Sequence, residues 1–183
     1  MRKLCFLMLV LFLSSCDKKQ EQLEPLKIIP QPASSKSHNG YFKINQETKI
    51  CMVGKLNLSS EAAFLQDILQ TSTGFSIPVI KDEKSSNVIL LQGDDSGVAG
   101  MEAYELEVSS KKVVIHASQS AGIFYGIQTL LQLLPTEVYG QFSEKAEIQI
   151  PSCSISDKPR FEWRGMHLDV SRHFFPLSFI KKY

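Results

Sequence analysis

The chain has 183 residues, 43% hydrophobic and 21% charged, with 20 Lys and Arg against 19 Asp and Glu for a net charge of +1. That hydrophobicity can build a core, which excludes a disordered tail protein. The charge balance excludes a polyanion binder acting through bulk charge, so no nucleic-acid partner is expected. Four cysteines in this length do not make a disulfide scaffold.

Met1-Arg2-Lys3 supplies positive charge, and Leu4 to Leu13 is continuously apolar. A run of about ten residues falls short of the roughly 20 that a transmembrane helix needs. It fits the apolar region of a secretory signal. Leu13-Ser14-Ser15-Cys16 follows, and small residues before a cysteine resemble the bacterial lipoprotein signal. The resemblance implies cleavage before Cys16, thioether lipidation of its sulfur and a cell-envelope protein on the outer membrane or the periplasmic face. The membrane is then a partner through two or three acyl chains, where a single chain would anchor marginally. The polar residues Asp17 to Glu24 read as a tether, giving a signal over 1–15, a tether over 16–25 and a folded chain from Leu26.

Residues 26–150 read as one small α/β domain. Ile28 to Pro32 is extended, because each proline disfavours helix in the residue before it. Asn39-Gly40 signals a turn, with short strands at Tyr41 to Ile44 and Thr48 to Val53. A helix follows from Ser59, its predicted N-cap, with Phe64, Leu65, Ile68 and Leu69 on one face and Gly74 as the stop. Asn87 to Gln92 is a short apolar run suited to a strand buried on both faces. Tyr104, Leu106 and Val108 alternate with Glu105 and Glu107, and Lys112 to Ala117 completes a hairpin. Ser120 opens the strongest helix, with a stripe of Ile123, Phe124, Ile127, Leu130, Leu131 and Leu134 ended by Pro135. Gly122 and Gly126 lie one turn apart and let that helix approach a sheet closely. Ala146 to Ile150 is strand-like. The fold class is therefore α/β, an α+β arrangement of an open, mostly antiparallel sheet with two helices.

Nothing in this domain declares chemistry. The glycines from Gly93 to Gly100 lack the spacing and the lysine of a phosphate loop. Asp94-Asp95 reads as a solvated turn pair. His38 and His116 stand alone without a second ligand at metal spacing, so no metal is expected. Cys51 and Cys153 read as buried thiols, since nothing in the sequence brings them within bonding range.

The chemistry-bearing residues cluster at the C-terminal end. Met166, Leu168 and Val170 alternate with His167, Asp169 and Ser171, which predicts a strand with one buried face. Pro176 suits the first turn of a helix that Leu177 and Ile180 continue. A strand, a polar turn and a helix make the first unit of a βα series. In a (β/α)₈ barrel, polar residues at a strand's C-terminal end line the active site. Asp169, Arg172 and His173 hold that place.

The run DKPRFEWRGMHLDVSRHFFP resembles the first barrel strand of the glycoside hydrolase family 20 β-N-acetylhexosaminidases. The upstream IIPQP and SAGIFYGIQTLLQLLP resemble the small domain that precedes that barrel. The resemblance implies that 151–183 begins a TIM barrel. It also implies that Arg172 binds hydroxyls of a non-reducing-end sugar, with Arg164, Asp169 and His173 in support. A planar guanidinium holds two adjacent hydroxyls at once; the alternative for Arg172 is an ion pair closing the strand end. The family hydrolyses terminal β-linked GlcNAc or GalNAc from glycans with retention, using the sugar's own acetamido group, and needs no cofactor.

The catalytic Asp-Glu pair of that family belongs to a later strand, beyond Tyr183. The one adjacent Asp-Glu, Asp82-Glu83, sits in a lysine-flanked loop. No catalytic residue is therefore expected within this chain, which reads as truncated and inactive alone. Two alternatives stay open: the leader domain of a different glycosidase barrel, and a non-catalytic envelope lipoprotein with a carbohydrate-binding or packing domain.

Overall fold

The computed structural model describes residues 25–81, 85–94, 97, 98, 100–139 and 148–182. The signal, Cys16, residues 17–24 of the tether and Asp82-Glu83 lie outside them.

The strands are β1 (Ser34–Ile44), β2 (Lys49–Gly54), β3 (Val79–Ile80), β4 (Val88–Gly93), β5 (Tyr104–Val108), β6 (Lys112–Ala117) and β7 (Ile148–Asp157). The helices are α1 (Ser59–Thr73), α2 (Ser120–Gln132) and α3 (Leu177–Lys182), with a 3₁₀ turn at Thr136–Tyr139. The strands form one seven-stranded sheet in the order β1-β7-β5-β6-β4-β2-β3. The expected mostly antiparallel sheet is corrected to a mixed one. β1-β7, β7-β5 and β5-β6 are antiparallel, whereas β6-β4, β4-β2 and β2-β3 are parallel. Local spacing revealed the β5-β6 hairpin, but parallel pairing is made by crossovers whose strands lie far apart in sequence.

β4 sits between two parallel neighbours, which is why its run of Val88, Ile89, Leu90 and Leu91 is buried without alternation. β5 packs one face and wets the other, so Tyr104, Leu106 and Val108 are buried and Glu105 and Glu107 are exposed. Both long helices lie on the same face of the sheet. Leu65 and Leu69 of α1 and Ile123, Ile127 and Leu130 of α2 join Ile50, Ile89, Leu106 and Ile115 in one core. Each such side chain contributes about 1.5–3 kcal/mol by leaving water. The opposite face carries a small apolar patch of Cys51, Val88 and Leu90 beside polar residues.

Three local expectations change. Asn39-Gly40 is a bulge inside β1 and no turn: Ser37 pairs with Cys153 but Tyr41 pairs with Pro151, and Gly40 takes φ +105° to make the step. Ser59 is inside α1, and Leu58 holds the N-cap position without a side-chain cap. Asn57 Oδ1 instead accepts the Ser59 N–H at 3.2 Å and its hydroxyl at 2.7 Å. Gly74 ends α1 in the left-handed conformation as expected.

The third change concerns the C-terminal strand. Residues 163–170 carry no strand and are largely exposed; only the helix after Pro176 forms, as α3. Alternation supplies no partner, and a strand without a neighbouring ladder has no stability of its own. Conversely, the sheet runs past the boundary expected at residue 150, because β7 continues to Asp157 and pairs with both β1 and β5.

The approach of α2 to the sheet is set by two glycines. A Cβ on Gly122 would overlap the Ala103 carbonyl oxygen and Ala117, and one on Gly126 would overlap Ile115. Gly122→Ala is expected to destabilise the domain by about 1–3 kcal/mol in urea denaturation, although alanine favours an isolated helix. Gly165→Ala, which meets nothing within 4 Å, should leave the midpoint unchanged. A Gly122→Ala midpoint equal to that of the parent would contradict this packing.

Candidate functional site

The chain leaves the sheet at Asp157, whose carboxylate is shared. Oδ1 accepts the Ala33 N–H at 2.9 Å, and Oδ2 faces the Tyr104 hydroxyl at 3.5 Å. Burial pushes the Tyr104 phenol up to about 12. The Tyr104 hydroxyl also meets Thr129 of α2 at 2.5 Å. These bonds tie the end of β7 to α2 and to the residues preceding β1.

Beyond this point the four expected site residues separate into two groups. Asp169 and Arg172 come together: Arg172 Nε lies 3.3 Å from Asp169 Oδ2. Asp169 Oδ1 accepts the Ser171 hydroxyl at 2.6 Å and its N–H at 2.9 Å. Those hydrogen bonds from Ser171 hold the Asp169 carboxyl below its usual range. The Arg172 side chain is 85% exposed, so the ion pair adds little stability and leaves the guanidinium facing solvent. His173 is exposed nearby in sequence.

Arg164 stands apart from that group. Its Nη1 donates to the Phe161 carbonyl at 2.6 Å, and its Nη2 donates to Glu102 Oε1 at 2.7 Å and to the Tyr125 hydroxyl at 3.2 Å. The guanidinium carbon lies 5.8 Å from the centre of the Tyr125 ring. The arginine beside Glu102 lowers that carboxyl's pKa, chiefly through the hydrogen bond. Sequence reasoning missed both partners. Tyr125 left one signal, a polar-tipped aromatic off the apolar stripe of α2. Glu102 left none, because the loop before β5 has no periodicity.

The open face of the sheet corrects the picture of solitary histidines. His116 Nε2 meets Asp94 Oδ1 at 2.9 Å, with Glu105 3.9 Å from Nδ1, and Gln92 donates to the other Asp94 oxygen. Asp94 is therefore a hydrogen-bonded partner as well as a loop residue. His38 Nε2 meets Ser154 Oγ at 2.7 Å, and Ser154 donates to Glu107 at 2.7 Å. The serine's one proton points at a carboxylate, so His38 must be the donor to Ser154. That is the reverse of what nucleophilic catalysis requires. Among the described residues no group of three or more His, Cys, Asp or Glu is placed to hold a metal. None of their helices is long and apolar enough to cross a membrane. Cys51 and Cys153 are buried on β2 and β7 with three strands between them, about 19 Å at the usual strand spacing, too far for a disulfide. Burial pushes the Cys153 thiol up to about 12.

Comparison with known proteins agrees with the resemblance carried by the sequence. The family described as glycosyl hydrolase family 20, domain 2, matches residues 26–158. The chain is 34% identical over 181 residues to a beta-hexosaminidase of Porphyromonas gingivalis, covering 95% of this chain and 23% of that protein. It is 34% identical to the GH20 beta-N-acetylhexosaminidase from Streptomyces coelicolor A3(2), with a TM-score of 0.76 over 87% of this chain and 32% of that one. A Streptomyces plicatus N-acetyl-beta-hexosaminidase in complex with Thio-NAglucal gives a TM-score of 0.74 at 34% identity, covering 87% and 32% of the two chains. The chain spans about a quarter to a third of the length of these relatives.

The Arg164–Glu102 pair has a direct test. Titrated by NMR, Glu102 should ionise below the ordinary carboxylate value, and Arg164→Gln should return it upward. Because the folded value is depressed, the pair's contribution is present above the unfolded pKa of about 4.3 and lost as pH falls through the lowered one. A Glu102 pKa unmoved by Arg164→Gln would contradict the pairing.

Proposed function

Because the chain belongs to glycosyl hydrolase family 20, we propose that it is the amino-terminal part of an exo-β-N-acetylhexosaminidase. In this reading the enzyme removes terminal β-linked GlcNAc or GalNAc from glycans. The observation that carries the reading is the match of residues 26–158 to domain 2 of the family, followed directly by the segment that bears Arg172.

The chemistry assigned to the whole enzyme is retaining and substrate-assisted. The sugar's 2-acetamido oxygen attacks C1, an aspartate steadies the acetamido group, and the neighbouring glutamic acid protonates the leaving oxygen. The glutamic acid must keep its proton near neutral pH, which burial and a like-charged neighbour arrange. Within the 183 residues the contribution to this chemistry is binding. Arg172 presents a guanidinium whose Nη donors suit two vicinal hydroxyls, while Asp169 holds the group from the Nε side. His173 follows directly and supports the same rim. Arg164 is left out of sugar binding in this reading, since its donors are engaged elsewhere.

The amino-terminal end completes the proposal. Cys16 is the lipid attachment site, and the mature protein is tethered at the cell envelope where glycans are met. Residues 26–150 alone serve as a structural support in this reading and not as a saccharide-binding module.

Purified as 183 residues, the protein should release no nitrophenol from a nitrophenyl GlcNAc glycoside, whereas the complete enzyme carrying this segment should. In that enzyme Arg172→Ala should lower kcat/KM by at least roughly tenfold, the smallest loss expected when charge-assisted hydrogen bonds to the sugar are removed. Full kcat/KM in the variant, or hydrolysis by the 183-residue chain, would contradict the assignment. Metabolic labelling with a fatty acid in a bacterial host should mark the protein, and Cys16→Ser should abolish the label. Labelling that survives Cys16→Ser would remove the anchor.

A further inference from the structure

After β7 the chain has little to hold it. Residues 160–164 are exposed, and a cleft of about 560 Å³ separates 158–162 from Gly100 to Ala103. A second cleft of about 240 Å³ lies against α2, walled by Ile28, Pro30, Tyr104 and Tyr125, with Glu102 and Arg164 on its lining. The segment therefore bridges open space, and apolar packing does not explain its path. Within the described residues of 158–164, Arg164 is the one whose side chain hydrogen-bonds to the sheet-and-helix unit.

That contact joins three pieces of chain remote in sequence. Glu102 comes from the loop before β5, Tyr125 from α2, and the Phe161 carbonyl from the segment itself. Glu102 also accepts from the Tyr125 hydroxyl at 3.3 Å, so the acceptor is fixed independently of the arginine. The ring of Tyr125 packs edge-on to Phe124 at 5.9 Å, and Phe124 meets Phe64 of α1 at 5.4 Å. The receiving surface is thus built into both helices. A guanidinium meets all three acceptors and lies over the ring because its donors are arranged in a fixed planar fork.

We propose that Arg164 is a positioning residue: with Glu102 and Tyr125 it clamps the segment leading to Arg172 onto the small domain. The clamp sits eight residues before Arg172, within about 26–29 Å of extended chain, so it sets where that segment starts and in which direction it leaves. The small domain thereby gains a role beyond folding, as the fixed base from which the following segment is launched. The docking itself is independent of any sugar chemistry. Only its consequence for Arg172 rests on the hexosaminidase reading.

Phe161 lies beside the clamp and is exposed, and the bond after it, to Glu162, is unchanged in every variant below, so chymotryptic cleavage after Phe161 reports docking of this stretch. On the 183-residue chain, Arg164→Ala and Glu102→Ala should each raise the rate of that cleavage roughly two- to fivefold, as expected for loss of an exposed charged contact. The double variant should be no faster than Arg164→Ala alone, because the arginine is already the donor to both Glu102 and Tyr125. The exchange Glu102→Arg with Arg164→Glu should restore part of the protection. Arg172→Ala should leave the rate unchanged, and urea midpoints should stay within error of the parent, which separates undocking from unfolding. An unchanged rate in Arg164→Ala, or single effects that add in the double variant, would overturn the clamp. Neither result bears on whether the enzyme cleaves glycans, since the assay contains no sugar.

Discussion

The last strand of the sheet is threaded between the first strand and the hairpin, and this placement governs the rest. β7 pairs with β1 on one side and β5 on the other, and buries Ile148, Ile150, Cys153 and Ile155. Without it the antiparallel half of the sheet would consist of a lone hairpin, and β1 would lose the ladder that the structure gives it. The same strand delivers the chain at Asp157 to a defined point beside Tyr104 and Ala33. Sheet completion and the starting point of the C-terminal segment are therefore one event. Closing it requires contacts between residues more than a hundred positions apart, which is costly in chain entropy and must be recovered by burial.

Sequence patterns revealed the parts of this fold whose stability is local. The apolar stripe of α2, the alternation of β5 and the unbroken run of β4 each state a period and a degree of burial. The structure contains all three, except that Phe124 of the expected stripe is 40% exposed and meets Phe64 of α1 outside the core. What could not be read was pairing between strands remote in sequence. The parallel β2-β4-β6 seam depends on crossovers, and the bulge at Gly40 depends on a partner that lies more than a hundred residues downstream. β7 was seen only at its start because Pro151 and the buried Ser152 break its apolar alternation, which resumes one residue out of phase at Cys153 and Ile155. Residues 166–170 show the converse: a clear period of two that makes no strand, because alternation describes how a strand would bury itself and supplies no neighbour.

The candidate site divides in the same way. Asp169 and Arg172 were legible together because they lie three residues apart, and the turn made by Asp169 and Ser171 brings them into contact. Arg164 was legible as a residue of interest, but its partners were not, since Glu102 and Tyr125 are brought to it only by the tertiary fold. The histidines illustrate how much a flat sheet face hides. His116 and Asp94 are separated by 22 positions and meet at the end of adjacent parallel strands, a relationship no local spacing encodes.

β7 is an integral strand of the small domain, and the segment with Arg164, Asp169 and Arg172 begins only after it. Hydrogen exchange followed by NMR on the 183-residue chain tests this most directly. Amides of Ile148–Asp157 that are bonded to β1 and β5 should exchange only through global unfolding, at the same rate as those of β4, while amides of 166–176 exchange near the unprotected rate. Exchange of the β7 amides at the rate of 166–176, with β4 still protected, would contradict it.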